Sequence, residues 1–281
     1  MSVTTLAEVQ EQIKTYWEPF FTRKLRERLL LAELVNKDYK GSIGRMGDTV
    51  KVSQVVDPQG ELRTIGVDAD TFGSEKVQTI YVDVKADKRA VTAHEFVDLV
   101  ELQSQLQRGD VQDGMIYAIN KQINDYLYSL VAPSASNPDH DVTSVSALNR
   151  QAIAEIRTLA SKAEWPEALP WYGLVSPDYW EDMLTDDKLS SSDFVDDRPT
   201  VAGQRSRNIL GWNMFEDNSR KTPQALFFNP DFLYYVAQTG VNMEVSNLHS
   251  NKQFGFVMSM DIVFGAKLGL EGDVKHIRVT N

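Results

Sequence analysis

The chain has 281 residues, no cysteine and a formal net charge of −11. That length suffices for one large domain or two small ones with a substantial core, and hydrophobic and charged fractions of 42% and 25% are ordinary for a globular protein. The lack of Cys rules out a disulfide framework or a thiolate metal site, and the acid excess argues against a broad nucleic-acid grip, which takes surplus Lys and Arg. The apolar runs fall well short of the ~18 to 20 residues of a membrane span. The start, Met-Ser-Val-Thr-Thr, has no basic region followed by an apolar one, so no secretory signal is expected. A cytoplasmic protein, or part of a particle assembled in the cytoplasm, is the expectation.

In chain order, Leu6, Val9, Ile13 and Trp17 recur at helical spacing until Pro19, and a second amphipathic run follows through Phe21, Leu25, Leu29 and Ala32. Between Arg23 and Lys40 six basic residues (Arg23, Lys24, Arg26, Arg28, Lys37, Lys40) face three acidic ones (Glu27, Glu33, Asp38), a local balance of +3 that also suits the solvated face of a helix. Two β-type runs, Asp48–Val56 and Val77–Val84, then flank a polar, glycine-punctuated tip. An isolated two-stranded hairpin is marginal in water. The expectation is therefore that this one gains its order from another subunit, which points to an assembly protein.

Thr92-Ala-His-Glu95 reads as a capping box. From it a helical pattern runs through Phe96, Leu99, Val100, Leu106, Val111, Met115, Ile119, Ile123, Tyr126 and Leu130 to a stop at Pro133. Such a rod would be about 55 Å long. Gly109 and Gly114 inside it suggest a bend or an interruption. Residues 132–145 form a Pro/Ser/Asn/Asp linker. Beyond it the expected elements are a helix over Leu148–Ala163, a strand over Trp171–Val175, a helix over Asp178–Leu184, an acidic loop over Thr185–Arg207, strands over Ile209–Phe215 and Ala225–Phe228, a helix over Asp231–Gln238, and strands over Phe254–Val263 and Val274–Val279. The fold class is α+β.

Catalytic patterns are scarce. His94, His140, His249 and His276 show no metal-ligand spacing, and Gly41-Ser-Ile-Gly44-Arg-Met-Gly47 has the wrong spacing and the wrong flanking elements for a dinucleotide loop. There is no phosphate-binding Walker loop, no nucleophile elbow and no His-Glu-x-x-His. The acidic group Asp182, Asp186, Asp187, Asp193, Asp196 and Asp197 is the candidate for a hard cation, but its spacing matches no calcium loop. No catalytic residue, metal ligand or cofactor site is assigned, and the chain is read as a non-enzyme.

The order of elements (basic helical arm, extended hairpin, long spine helix, α+β domain, returning strands) resembles the major capsid proteins of tailed double-stranded-DNA bacteriophages. Val35-Asn-Lys-Asp-Tyr-Lys-Gly41 with Gly47-Asp-Thr-Val-Lys-Val52 is similar to that family's approach to its extended loop. Leu174-Val-Ser-Pro177 with Leu184 is similar to its strand-to-helix step, and Ile209-Leu-Gly-Trp-Asn-Met-Phe215 with Phe256–Leu268 and the strand ending at Val279 to its closing elements.

The resemblance implies a phage capsid fold divided as arm 1–46, extended loop 47–91, spine helix and first part of the peripheral domain 92–145, axial domain 146–253, and returning peripheral strands 254–281. It implies hexamers and pentamers in an icosahedral head, made with a separate scaffolding protein, a portal and decoration proteins, around DNA held by weak non-specific contact, with no membrane partner and no cofactor. The arm and loop would cross onto neighbours, with Trp17, Phe20, Arg45, Arg63, Asp68 and Asp70 as intersubunit contacts. Arg23, Lys24, Arg26 and Arg28 would face the lumen, and Gly109 and Gly114 would be the bend of the spine helix. An encapsulin-type nanocompartment shell is the alternative of similar fold, and a soluble metal-dependent hydrolase using Asp186 and Asp187 the alternative of another class.

Overall fold

The computed structural model describes residues 29–36, 47–55, 79–96, 105–131, 141–142, 144–186, 189, 206–238, 241–247, 256–269 and 276–281. Among these, α1 (Leu31–Leu34) is a single helical turn at the end of the arm. β1 (Thr49–Val55) and β2 (Thr79–Lys85) pair antiparallel, with Val50 opposite Val84 and Val52 opposite Val82. The sequence reading of a hairpin holds.

Immediately after the hairpin, Lys88–Phe96 forms β3, so Thr92-Ala-His-Glu95 is strand and not a helix cap. Nine paired residues account for the override. β3 lies antiparallel along β11 (Phe256–Leu268), with Thr92 opposite Met260 and His94 opposite Met258. Local capping chemistry stabilises by only about 1 kcal/mol and yields to such a ladder. Among the described residues the spine helix α2 spans Gln105–Leu130, 26 residues, or about 39 Å. It runs through Gly109 and Gly114 without an interruption.

Two sheets build the body. The first contains β3, β11, β10 (Asn242–Asn247) and β9 (Leu233–Ala237), with β11 paired to all three others. β9 stands where the sequence suggested a helix over Asp231–Gln238. Pro230–Phe232 is a single 3₁₀ turn, and Leu233-Tyr-Tyr-Val-Ala237, rich in aromatic and β-branched residues, pairs with Phe264–Leu268. Five buried residues in a row leave no polar face for a surface helix.

The second sheet has six strands in the order β4 (Asp141–Val142), β12 (His276–Thr280), β8 (Gln224–Phe228), β5 (Trp171–Val175), β7 (Trp212–Glu216), β6 (Ser206–Ile209). The last strand of the chain joins this sheet, so the returning strands of 254–281 divide between the two sheets. β6 and β7 are two strands, not one, turned on Leu210 and Gly211 at φ of 49° and 84°. Those positive values suit a tight hairpin turn. Helix α3 (Arg150–Lys162) is capped by Asn149, whose side chain accepts from the Ala152 amide at 2.9 Å, and α4 (Pro177–Thr185) starts on its proline.

Alternation on β8 and β5 divides the packing. Leu226, Phe228 and Leu174 join α1, α2 and the first sheet in one core, while Ala225, Phe227 and Val175 join α3, α4 and Trp212 in another. The face of α2 that enters the first core is Met115, Ile119, Ile123 and Leu127, one residue per turn.

Candidate functional site

The hairpin is rooted on its own chain. Val52, Val82, Val84 and Ala86 pack on Tyr234, Val236 and Val263, the side of the first sheet turned away from α2. This corrects the expectation of a hairpin ordered mainly by a neighbour: its base has a core of its own. The Gly47 amide donates to the Ala86 carbonyl at 2.9 Å and the Ala86 amide to Asp48 at 3.0 Å, which closes the base. Gly265 in β11 makes the crossing possible, because a Cβ there would run into the Lys85 backbone carbonyl. Tyr81, on the opposite face of β2, is 60% exposed.

The arm's described end is likewise fastened. Leu30, Leu31 and Val35 are buried against α2, and Asn36 bridges to Tyr234 while its side-chain amide donates to Asp231 at 2.7 Å.

A polar joint links α2 to the second sheet. The Tyr128 hydroxyl donates to Asp217, a carboxylate almost fully buried just after β7, and Asp217 also accepts from the Ser219 amide at 2.9 Å. Arg220 lies over the Tyr128 ring, 3.9 Å from its centroid, and pairs with Asp125 at 2.6 Å. Burial, followed by the charge of Asp217, holds the Tyr128 hydroxyl well above its ordinary pKa. Beside the joint is a cavity of about 260 Å³ bordered by Ser129, Ser176, Gln224 and Arg278. No pattern in the sequence marks this cluster, because its parts lie about 90 positions apart and meet only through the fold.

Of the residues singled out from sequence, Trp17, Phe20, Arg23, Lys24, Arg26, Arg28, Arg45, Arg63, Asp68 and Asp70 lie outside the described residues. Gly109 and Gly114 lie within α2, and a Cβ at Gly114 would meet nothing within 4 Å, so close packing does not require that glycine. In the acidic group, Asp182 accepts from the Leu148 amide at 3.3 Å and Asp186 from the Arg150 amide at 3.0 Å. These two carboxylates serve the N-terminus of α3, where backbone amides need acceptors. Asp187, Asp193, Asp196 and Asp197 lie outside the described residues. Sequence reading also passed over β10, whose residues from Asn242 to Ser246, like Val241 before them, are exposed.

No protein-family model matches the sequence, and no curated protein matches it. Solved structures do match. A structure of Mycobacterium phage Che8 superposes with a TM-score of 0.75 at 17% identity, covering 95% of this chain and 96% of that one. The capsid structure of the cyanophage P-SCSP1u gives 0.71 at 14% identity, covering 100% and 96%. The capsid asymmetric unit of cyanophage Pam1 gives 0.67 at 11%, covering 99% and 98%. The chain shares the fold of these phage structures, two of which are capsids, over 95% or more of its length.

Proposed function

We propose that the chain is the major capsid protein of a tailed bacteriophage, a structural subunit that self-assembles into the icosahedral head enclosing the genome. The observation that carries this reading is the match, over all of this chain and 96% of its counterpart, to a structure whose description is a capsid. Val52 and Val82 are the outermost hairpin residues in the described core, and the 23 residues of sequence, 56–78, between β1 and β2 suit a segment that serves a neighbour.

Within the proposal the chain forms hexamers and pentamers, works with a scaffolding protein and a portal, and resides in the virion after assembly in the host cytoplasm. The arm and hairpin tip reach adjacent subunits through Trp17, Phe20, Arg45, Arg63, Asp68 and Asp70. Arg23, Lys24, Arg26 and Arg28 face the packaged DNA, and α2 flexes at Gly109 and Gly114. The domain boundaries at 46, 91, 145 and 253 are part of the same reading.

Co-expression with the scaffolding gene of the same phage, followed by sizing and negative-stain microscopy, tests it. Closed shells of uniform diameter are expected. A product that stays monomeric at high concentration in the presence of scaffold would overturn the proposal.

A further inference from the structure

The first sheet ends on a strand with unusual features. Among the described residues, three of the seven large apolar side chains that are strongly exposed lie on or beside β10: Val241, Met243 and Val245, at 39%, 53% and 54%. Alternation puts all three on one face. Pairing with β11 sets Met243 opposite Met260 and Val245 opposite Met258, both buried in the first core. The strip is thus an outward continuation of that core beyond the cover of α2. The Gln112 amide of α2, 3.8 Å from the Met243 sulfur, marks where the cover ends.

Exposed sheet edges are normally protected by Lys, Pro, short length or a bulge. β10 is six residues long, Asn-Met-Glu-Val-Ser-Asn, with Glu244 as its one charge and neither Lys nor Pro, and among the described residues it ends the path of its sheet. The other sheet has end strands of two and four residues, β4 and β6.

We propose that β10 pairs antiparallel with β10 of a second copy across a twofold axis, joining the first sheets of two subunits into one. The sequence selects the register. With Met243 opposite itself, Val241 meets Val245 on the apolar face, and on the other face Asn242 meets Glu244, an amide that can donate to a carboxylate. Centring on Glu244 would instead oppose two carboxylates, which is destabilising. Centring on Val245 would set Met243 opposite Asn247 and leave Val241 without an apolar partner. The Met243-centred register alone matches all three apolar side chains to one another. The inference rests on the shell reading for the abundance of its partner, since a closed assembly of identical chains presents this edge to itself.

The absence of native cysteine makes the register directly measurable. Directly opposed strand residues have Cα atoms about 4.5 to 5.5 Å apart, within the span of a disulfide. Assembled particles of Met243→Cys, oxidised mildly and run without reductant, should appear mainly as covalent dimers. Val245→Cys should remain monomeric on the gel, and the double variant Val241→Cys/Val245→Cys should crosslink. Met243→Lys, which restores edge protection, should reduce particle yield while leaving the subunit folded by circular dichroism.

Normal particles without a Met243→Cys dimer would overturn the pairing and leave the shell reading intact. Equal crosslinking of Met243→Cys and Val245→Cys would overturn the register and hence the proposal. Failure of both particles and dimers, with the parent chain also unassembled, would overturn the pairing and the shell reading together.

Discussion

The two sheets differ in how completely they are enclosed. The six-stranded sheet is covered on both faces, with Phe227 and Phe228, adjacent on β8, each fully buried but in different cores. Trp165, Trp171 and Trp212 crowd one end of it, with ring centroids 5.2 to 5.7 Å apart. Among the described residues the first sheet is covered by α2 on one face and by the hairpin root on part of the other, and it ends in a strand exposed from Asn242 to Ser246. Under the shell reading, the enclosed sheet serves as the scaffold and the open one offers its surfaces to neighbours.

Substitutions should separate the two. Phe227→Ala, in the enclosed sheet, removes a fully buried ring and should lower global stability by about 4 kcal/mol, read as a drop in the unfolding midpoint in denaturant. Gly265→Ala, in the open sheet, should cost about 3 kcal/mol through the collision with the Lys85 carbonyl. Its signature is local: faster hydrogen exchange in β1 and β2, with the six-stranded sheet unchanged. If the whole chain loosens together, the hairpin root is not an independent unit.

At the joint between the two, Tyr128→Phe deprives buried Asp217 of a donor and should cost about 2 kcal/mol. The joint also has a pH dependence of definite sign. The folded pKa of Tyr128 is raised, so its contribution is complete below the ordinary tyrosine value of about 10 and is lost as pH rises beyond that. Wild type should therefore lose more stability above pH 10 than Tyr128→Phe does, as measured by denaturant melts. The smallest effect is a gain. Gly114→Ala, at a helical position with open space around the new methyl group, should stabilise α2 by about 1 kcal/mol. A loss there would mean that the folded helix uses the conformational freedom of the glycine.

Much of the enclosed sheet was legible in the sequence, because its signals are local. Trp171–Val175 is found at the expected bounds, and α3 and α4 fall within two residues of the helices read at Leu148–Ala163 and Asp178–Leu184. In the enclosed sheet the turn at Leu210 and Gly211 splits an expected single strand, while in the open sheet long-range pairing decides. Thr92–Glu95 and Leu233–Ala237 have passable helical patterns, and each is drawn into a strand by β11, where Met260 stands opposite Thr92 from 168 positions away. The hairpin strands were visible from their alternation, but not their seat, since Gly265 and Val236 become its floor only once β9 and β11 pair. The Tyr128, Asp217 and Arg220 joint was invisible for the same reason.

Hydrogen exchange, compared between unassembled subunits and assembled particles, tests the division of labour most directly. The added protection on assembly should fall on the hairpin, on β10 and on the exposed flank of α2, while β5, β8 and β12 exchange equally slowly in both states. Added protection spread evenly over both sheets, or concentrated in the six-stranded one, would contradict it.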